Sequence, residues 1–320
     1  MDHHDLAAEI TLQGTMEPFL ILSVLSMILY GVLLMQIFNY YSSYQDDLKA
    51  LRVAVAVILV LETLQQALIL HSLWYYLVHL GAEDITAGTA VNWSFVGRLV
   101  PTELGTLIVE FLFVARIWIL GDRKKPYLLL FVPAVVAFGF GIALIVHFFQ
   151  RPAFGDAPSS RWFIIAWAAT RTLADLSIAA TKCWKLNRSR RDLSAEIQSV
   201  LWSIFSFALT TGILTSVFAL LIIITYLVLP FDFVYAGIYT IYGKIYANSL
   251  LASLNTRQAL RARAHHTVNL SSFRVNDDSP TTTANTGLVS SLSRLVTSIG
   301  REWEDVPVGK EKCDEAESPT

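Results

Sequence analysis

Thr225-Tyr226-Leu227-Val228-Leu229-Pro230-Phe231-Asp232-Phe233-Val234-Tyr235 is the stretch that decides how often this chain turns back on itself. Apolar sequence runs into it from residue 199 and out of it to residue 254, so without a break there the two halves read as one very long segment. Pro230 supplies no backbone donor and pushes Leu229 away from helical geometry, and Asp232 adds a charge two residues later. Together they predict a tight hairpin between two separate spans, 199–228 and 232–254.

Working outward from that hairpin, the same length and polarity recur. A bilayer-crossing helix needs about 20 mostly apolar residues, and further stretches of that kind lie near 16–41, 51–79, 99–120, 126–149 and 162–185. The separators carry turn or charge signals, among them Gly121-Asp122-Arg123-Lys124-Lys125 and Asn187 to Asp192. The expected fold is therefore an all-α polytopic membrane protein with seven transmembrane helices. Runs this long must satisfy their backbone polar groups internally, which leaves the helix as their spanning form. The first run is too long for a signal-peptide core, and no Lys or Arg precedes it, so it is read as a retained span.

Composition agrees. The chain has 320 residues, 54% hydrophobic and 16% charged, with a mean hydropathy of +0.51. Those are not the proportions of soluble domains. Residues 257–320 hold 17 of the 50 charged side chains, so the tail is a different material from the apolar region before it. A net charge of −2 excludes a generally basic nucleic-acid binder. The two cysteines, Cys183 and Cys313, exclude a disulfide-stapled ectodomain.

Orientation follows from the basic residues near the span ends. Fourteen Lys and Arg fall on one side, including Arg123, Lys124, Lys125, Lys182, Lys185, Arg188, Arg190, Arg191 and Arg257, against Arg98, Arg151 and Arg161 on the other. This predicts an exoplasmic N-terminus (1–15), a seven-helix domain over 16–256 and a cytosolic tail over 257–320. Ser, Thr, Asn and acidic residues dominate much of that tail, the composition of disorder. Leu288, Leu292, Leu295, Ile299 and Trp303 recur at helical spacing within it and predict one amphipathic helix near 287–303. The sequon Asn92-Trp93-Ser94 falls in an exoplasmic loop and makes Asn92 a possible glycosylation site.

Three stretches carry a resemblance. They are Asn39-Tyr40-Tyr41-Ser42-Ser43-Tyr44-Gln45-Asp46-Asp47 after span one, Ala115-Arg116-Ile117-Trp118 closing span three, and the run from Lys244-Ile245-Tyr246-Ala247-Asn248 to Asn255-Thr256-Arg257 closing span seven. The chain resembles, over roughly residues 15–260, a basidiomycete-type fungal family of seven-span membrane proteins known as a domain of unknown function. The resemblance implies a seven-helix integral membrane protein and supplies no reaction, ligand or site residue. The marks of the main seven-helix receptor class are missing: span three ends in Ala-Arg-Ile-Trp, span seven has no proline, and neither cysteine is exoplasmic.

Ionisable groups near the centre of a membrane helix cost about 2.5–3.5 kcal/mol each on insertion scales and are candidates for function on that account. The candidate intramembrane site comprises Glu62, Glu103, Glu110, Arg171, Asp175, Lys244 and Asn248. Arg171 and Asp175, four apart, are expected to pair along one helix face. Glu103 and Glu110, seven apart, share a face within roughly 20° and either form a proton or cation path or find partners such as Arg98 or Lys244. Glu62 with Gln65 and Gln66 forms a polar patch suited to inter-helix hydrogen bonds. Lys244 stands mid-span, where retinal-binding seven-helix proteins carry their Schiff-base lysine. Tyr235, Tyr239, Tyr242 and Tyr246 fall on the opposite face of an ideal helix, which puts the tyrosine stripe on lipid or a flanking helix and assigns no chromophore cage. No cofactor and no metal site are implied, because His71, His79 and His147 have no ligand spacing.

Lys182, Lys185, Arg188, Arg190 and Arg191 sit at the inner face and either contact anionic lipid or dock cytosolic signalling proteins. No phosphate loop, zinc-finger spacing or nucleophile elbow proposes an enzyme. The expectation is a receptor-like sensor without catalytic activity, in the plasma membrane or an endomembrane, its ligand unidentified. The alternatives are a small-solute or proton-coupled transporter and a membrane organiser or accessory subunit.

Overall fold

The computed structural model describes the backbone of residues 3–45, 47–79, 92–120, 129–150, 161–189, 195–229 and 233–275, with side chains over slightly narrower ranges. The described residues form helices and turns without strands. In chain order they are α1 (His3–Ser43), α2 (Lys49–Trp74, prolonged by a π-helical turn Tyr75–His79), the short α3 (Trp93–Gly97), α4 (Leu99–Leu120), α5 (Val132–Gln150), α6 (Arg161–Ser189), α7 (Ala195–Val228) and α8 (Val234–Val275). Local chemistry accounts for several ends. The Asn92 side chain caps α3 by accepting from the Ser94 N–H, and Pro101 and Pro133 sit in first turns, where a missing N–H costs little. The break around Pro230 separates α7 from α8.

Long helices that follow one another in the chain alternate in direction. Tyr30 meets Thr63 and Tyr41 meets Arg52 across antiparallel α1 and α2. Leu29 meets Asn248 and Gln36 meets Asn255, so α1 and α8 run parallel. Trp167 packs on Tyr239 while Asp175 meets Tyr246, which makes α6 parallel to α8 as well. The result is an up-and-down bundle in which α8 packs against α1, α4 and α7.

The polarity of this bundle is inverted relative to a soluble one. Large apolar side chains such as Ile21, Met35, Phe38, Val60 and Leu173 are exposed on its outside, whereas Glu62, Glu103, Glu110, Arg171, Asp175 and Lys244 are buried. Such an apolar exterior around a charged interior is stable where hydrocarbon is the solvent. Among the described residues four helices are long and apolar enough to cross a membrane: Met16–Ser43, Lys49–Val78, Leu129–Gln150 and Arg161–Thr181; the apolar stretch Gly212–Val228 is shorter. The chain is a multi-pass membrane protein. Helix α4 bears two buried acids, and the portion of α8 up to Leu254 is buried on most of its circumference, so neither needs a uniformly apolar surface.

Helix α1 begins at His3, ahead of the apolar run that opens at 16, and α8 continues as helix to Val275. Of the two places expected for the tyrosine stripe, lipid or a flanking helix, the structure takes the second: Tyr239, Tyr242 and Tyr246 are all buried. Both faces of α8 are covered, the lysine side by α1 and α2 and the tyrosine side by α4 and α6. An isolated helical wheel tells which residues share a side, but not how many neighbours surround the helix. The amphipathic segment near 287–303, with Arg190 and Arg191, lies outside the described residues.

Candidate functional site

The buried polar groups gather into one central network and two flanking sites. At the centre, Arg171 on α6 forks toward α4: its Nη2 lies 2.5 Å from Glu103 Oε2 and its Nη1 2.5 Å from Glu110 Oε2. The expected pairing of Arg171 with Asp175 is replaced by this arrangement. Two acids seven apart on α4 present themselves two turns apart on one face, and the planar guanidinium, whose terminal nitrogens point in different directions, spans them. Arg171 and Glu110 are both fully buried. Glu103 Oε1 also accepts from Trp167 Nε1 and from the Tyr239 hydroxyl, each at 2.8 Å. Asp175 instead accepts from the Tyr246 hydroxyl, which in turn is reached by Tyr242 OH at 3.2 Å.

Close approach of α5 depends on a missing side chain. A Cβ at Gly141 would lie 2.7 Å from Glu103 Cδ and 2.8 Å from its Oε2. Glycine there lets the Glu103 carboxylate lie against the α5 backbone.

The second site joins α8 to α2. Lys244 Nζ donates to Glu62 Oε2 at 2.6 Å and to the Glu62 carbonyl at 3.1 Å, with the Tyr30 ring 5.1 Å from the ammonium. Asn248 stands one turn on and donates to the carbonyls of Lys244 (2.8 Å) and Leu29 (3.1 Å), tying α8 to α1. Gln65 Nε2 donates to Thr102 Oγ1 at 2.7 Å, linking α2 to α4.

The third site was not foreseen as a site of its own. Arg98, counted in the sequence as a flanking charge and as one possible partner of Glu103 or Glu110, a place that Arg171 takes instead, is 2% exposed. Its Nε donates to Phe95 O at 2.9 Å and its Nη1 to Ala236 O at 3.1 Å and Thr240 Oγ1 at 2.8 Å. The guanidinium carbon lies 4.3 Å from the Phe95 ring centroid and 4.8 Å from that of Phe19, within cation–π range. Its position just ahead of an apolar run was the only available signal, and the same position suits a topology charge.

A cavity of about 60 Å³ lies between Arg98 and the central network. Arg98, Glu103, Trp167 and Tyr239 contribute to its wall, and Leu144, Ile145, Phe148, Ile164 and Ile222 make most of the rest apolar. The pocket therefore shares three side chains with the Glu103–Arg171 network.

At the opposite end of the bundle, Tyr44 OH donates to Asn255 O at 2.9 Å, Tyr40 OH to Asp47 Oδ2 at 3.0 Å and Tyr41 OH to Arg52 O at 2.7 Å. Two of the three stretches that carry the sequence resemblance thus meet in space. Lys182, Lys185 and Arg188 ride on the last turns of α6, their side chains outside the described residues. Asn92 is 8% exposed, and its Nδ2, the atom a glycan would occupy, is buried without a hydrogen-bond partner among the described residues. Among the described residues no group of three or more His, Cys, Asp and Glu is placed to hold a metal ion.

No curated protein and no solved structure matches the chain. A profile described as "Family of unknown function (DUF6534)" does match, over residues 171–259, a region that begins at the central arginine of α6 and takes in Asp175, Lys244, Asn248 and the tyrosines of α8.

Proposed function

We propose that the chain is a seven-span, receptor-like membrane sensor without catalytic activity, of the fungal kind its 39–47 and 244–257 stretches resemble, with its N-terminus exoplasmic and its tail cytosolic. The observation that carries this reading is the shared wall: Glu103, Trp167 and Tyr239 line the cavity and also belong to the ion-pair network joining α4, α6 and α8. A ligand pressing on those side chains alters contacts between helices whose other ends adjoin the basic α6 terminus. In the proposed orientation the cavity lies toward the exoplasmic end, beside Phe148 in the last turn of α5, Ile164 in the first turn of α6 and Tyr235 in the first turn of α8. The basic residues Lys182, Lys185, Arg188, Arg190 and Arg191 then face the cytosol and serve for output or for anionic lipid. The host membrane is the plasma membrane or an endomembrane.

The test is proximity labelling from a tag fused after Thr320, compared with a variant neutralised at those five basic residues. Cytosolic signalling proteins enriched in the parent and lost in the variant support the sensor. An unchanged set of membrane-traffic neighbours argues against it, and a tag labelled only from outside the cell overturns the orientation.

One observation favours a second reading. Glu103 and Glu110 contact Arg171, and Asp175 is buried one turn further along α6, three acids to one base, which is the composition of a proton or cation path. Solute-coupled flux in reconstituted vesicles that is abolished by Glu110→Gln would replace the sensor by a transporter.

A further inference from the structure

We propose that the cavity binds a small monoanion, a carboxylate on a short aliphatic chain, with Arg98 as its counter-charge. The proposal rests on the sensor reading and names the chemical class of its ligand.

The first argument is charge. The other two cations among the buried residues, Arg171 and Lys244, each have a carboxylate oxygen within 2.6 Å. Arg98 has none among the described residues; it is held by two backbone carbonyls and a threonine hydroxyl. A buried guanidinium compensated only by neutral oxygens and ring faces carries a desolvation penalty that an anion would offset.

The second argument is unused donor capacity. A guanidinium has five N–H groups. One on Nε and two on Nη1 are used, and the two on Nη2 have no partner among the described residues. Arg98 itself forms part of the cavity wall. Glu103, the other charged group in that wall, has both oxygens engaged by Arg171, Trp167 and Tyr239. The unused electrostatic capacity of the cavity is therefore cationic.

The third argument is shape and polarity. The volume of about 60 Å³ accommodates roughly four water molecules. A carboxylate head at Arg98 would leave its aliphatic chain against Leu144, Ile145, Ile164 and Ile222. One guanidinium balances one negative charge, and among the described residues no second unpaired cation lines the cavity, which selects a monoanion over a phosphate dianion.

The experiment uses the purified full chain in lipid nanodiscs, titrated with acetate, butanoate and hexanoate, and with butanamide and butylammonium as neutral and cationic controls. Saturable binding of butanoate or hexanoate is expected, weakened at least tenfold for the amide. Arg98→Gln should weaken acid binding roughly tenfold or more and bring acid and amide together, as loss of a charge-assisted hydrogen bond does. Leu144→Trp fills the cavity while leaving every Arg98 hydrogen bond in place, and should abolish binding even if the position-98 variant fails to fold. Acid binding that survives either substitution overturns the proposal, as does the absence of acid binding up to roughly 10 mM. Amide or ammonium binding that is lost in Leu144→Trp, with no acid binding, sinks the anion assignment and keeps the sensor's pocket. No binding of any probe, together with unchanged proximity labelling, removes both.

Discussion

Replacing Arg171 by Met tests the central network most directly. The substitution keeps most of the side-chain volume and deletes a guanidinium that makes two 2.5 Å ion pairs in a fully buried position. If only hydrogen-bond strength counted, the loss would be small, because such bonds average about 0.6 kcal/mol in membrane proteins. The larger effect is the burial of carboxylates without their cation, which costs about 3–5 kcal/mol when one partner of a buried pair is removed. The two acids do not suffer equally. Glu103 keeps its donors from Trp167 and Tyr239, whereas Glu110 Oε1 has no hydrogen-bond partner among the described residues. Glu110→Gln in the Arg171→Met background should therefore recover the larger part of the loss, and Asp175→Asn should recover less. Reversible unfolding in mixed micelles, followed across this set of variants as a double-mutant cycle, gives the coupling energies. A cost for Arg171→Met below about 1 kcal/mol would refute the reasoning. Stronger coupling of Arg171 to Asp175 than to Glu110 would restore the pairing expected along one helix.

Further outcomes follow from the same structure. Lys244→Met should destabilise by about 3 kcal/mol or more in the same unfolding assay, and addition of Glu62→Gln should return part of it, since Glu62 is then no longer a lone buried acid. Gly212→Ala should cost about 1–3 kcal/mol, because the added Cβ would lie 2.7 Å from Ala179 Cβ and force α6 and α7 apart; Gly31→Ala, with nothing within 4 Å of the new atom, serves as the control with no such cost. Asn92→Gln should leave electrophoretic mobility and its response to endoglycosidase unchanged, since Nδ2 of Asn92 is buried; a mobility shift confined to the parent protein would show that the residue carries a glycan.

Much of the helical order was legible because it depends on local rules. Apolar runs of bilayer length, turn chemistry and the proline at 230 mark where α7 ends and α8 begins, and they need no knowledge of neighbours. The candidate ionisable residues were legible for a similar reason, since charge is rare in apolar helices wherever it stands. Their partners were not. Arg171 and Asp175 share a helix face, yet the arginine selects two acids on α4 because its reach and fork exceed what a helical wheel represents. Arg98 passed as a flanking charge because whether a residue at a helix start is wet or buried depends on what folds over it, here Phe19, Phe95 and the first turns of α8.

By itself, then, the sequence determined that this is a helical membrane chain, where several of its helices begin and end, and which side chains are too costly to bury without reason. Periodicity and transfer energy act within one segment, and both can be read from consecutive letters. Only the tertiary structure decided that α8 is enclosed on its tyrosine side as well as its lysine side, that Glu62 answers Lys244 across 182 positions of sequence, and that Glu103 belongs at once to an ion pair and to a cavity wall. Those facts depend on helix directions and rotations about the bundle axis, which are set by packing of all the helices together and are not encoded in any one of them.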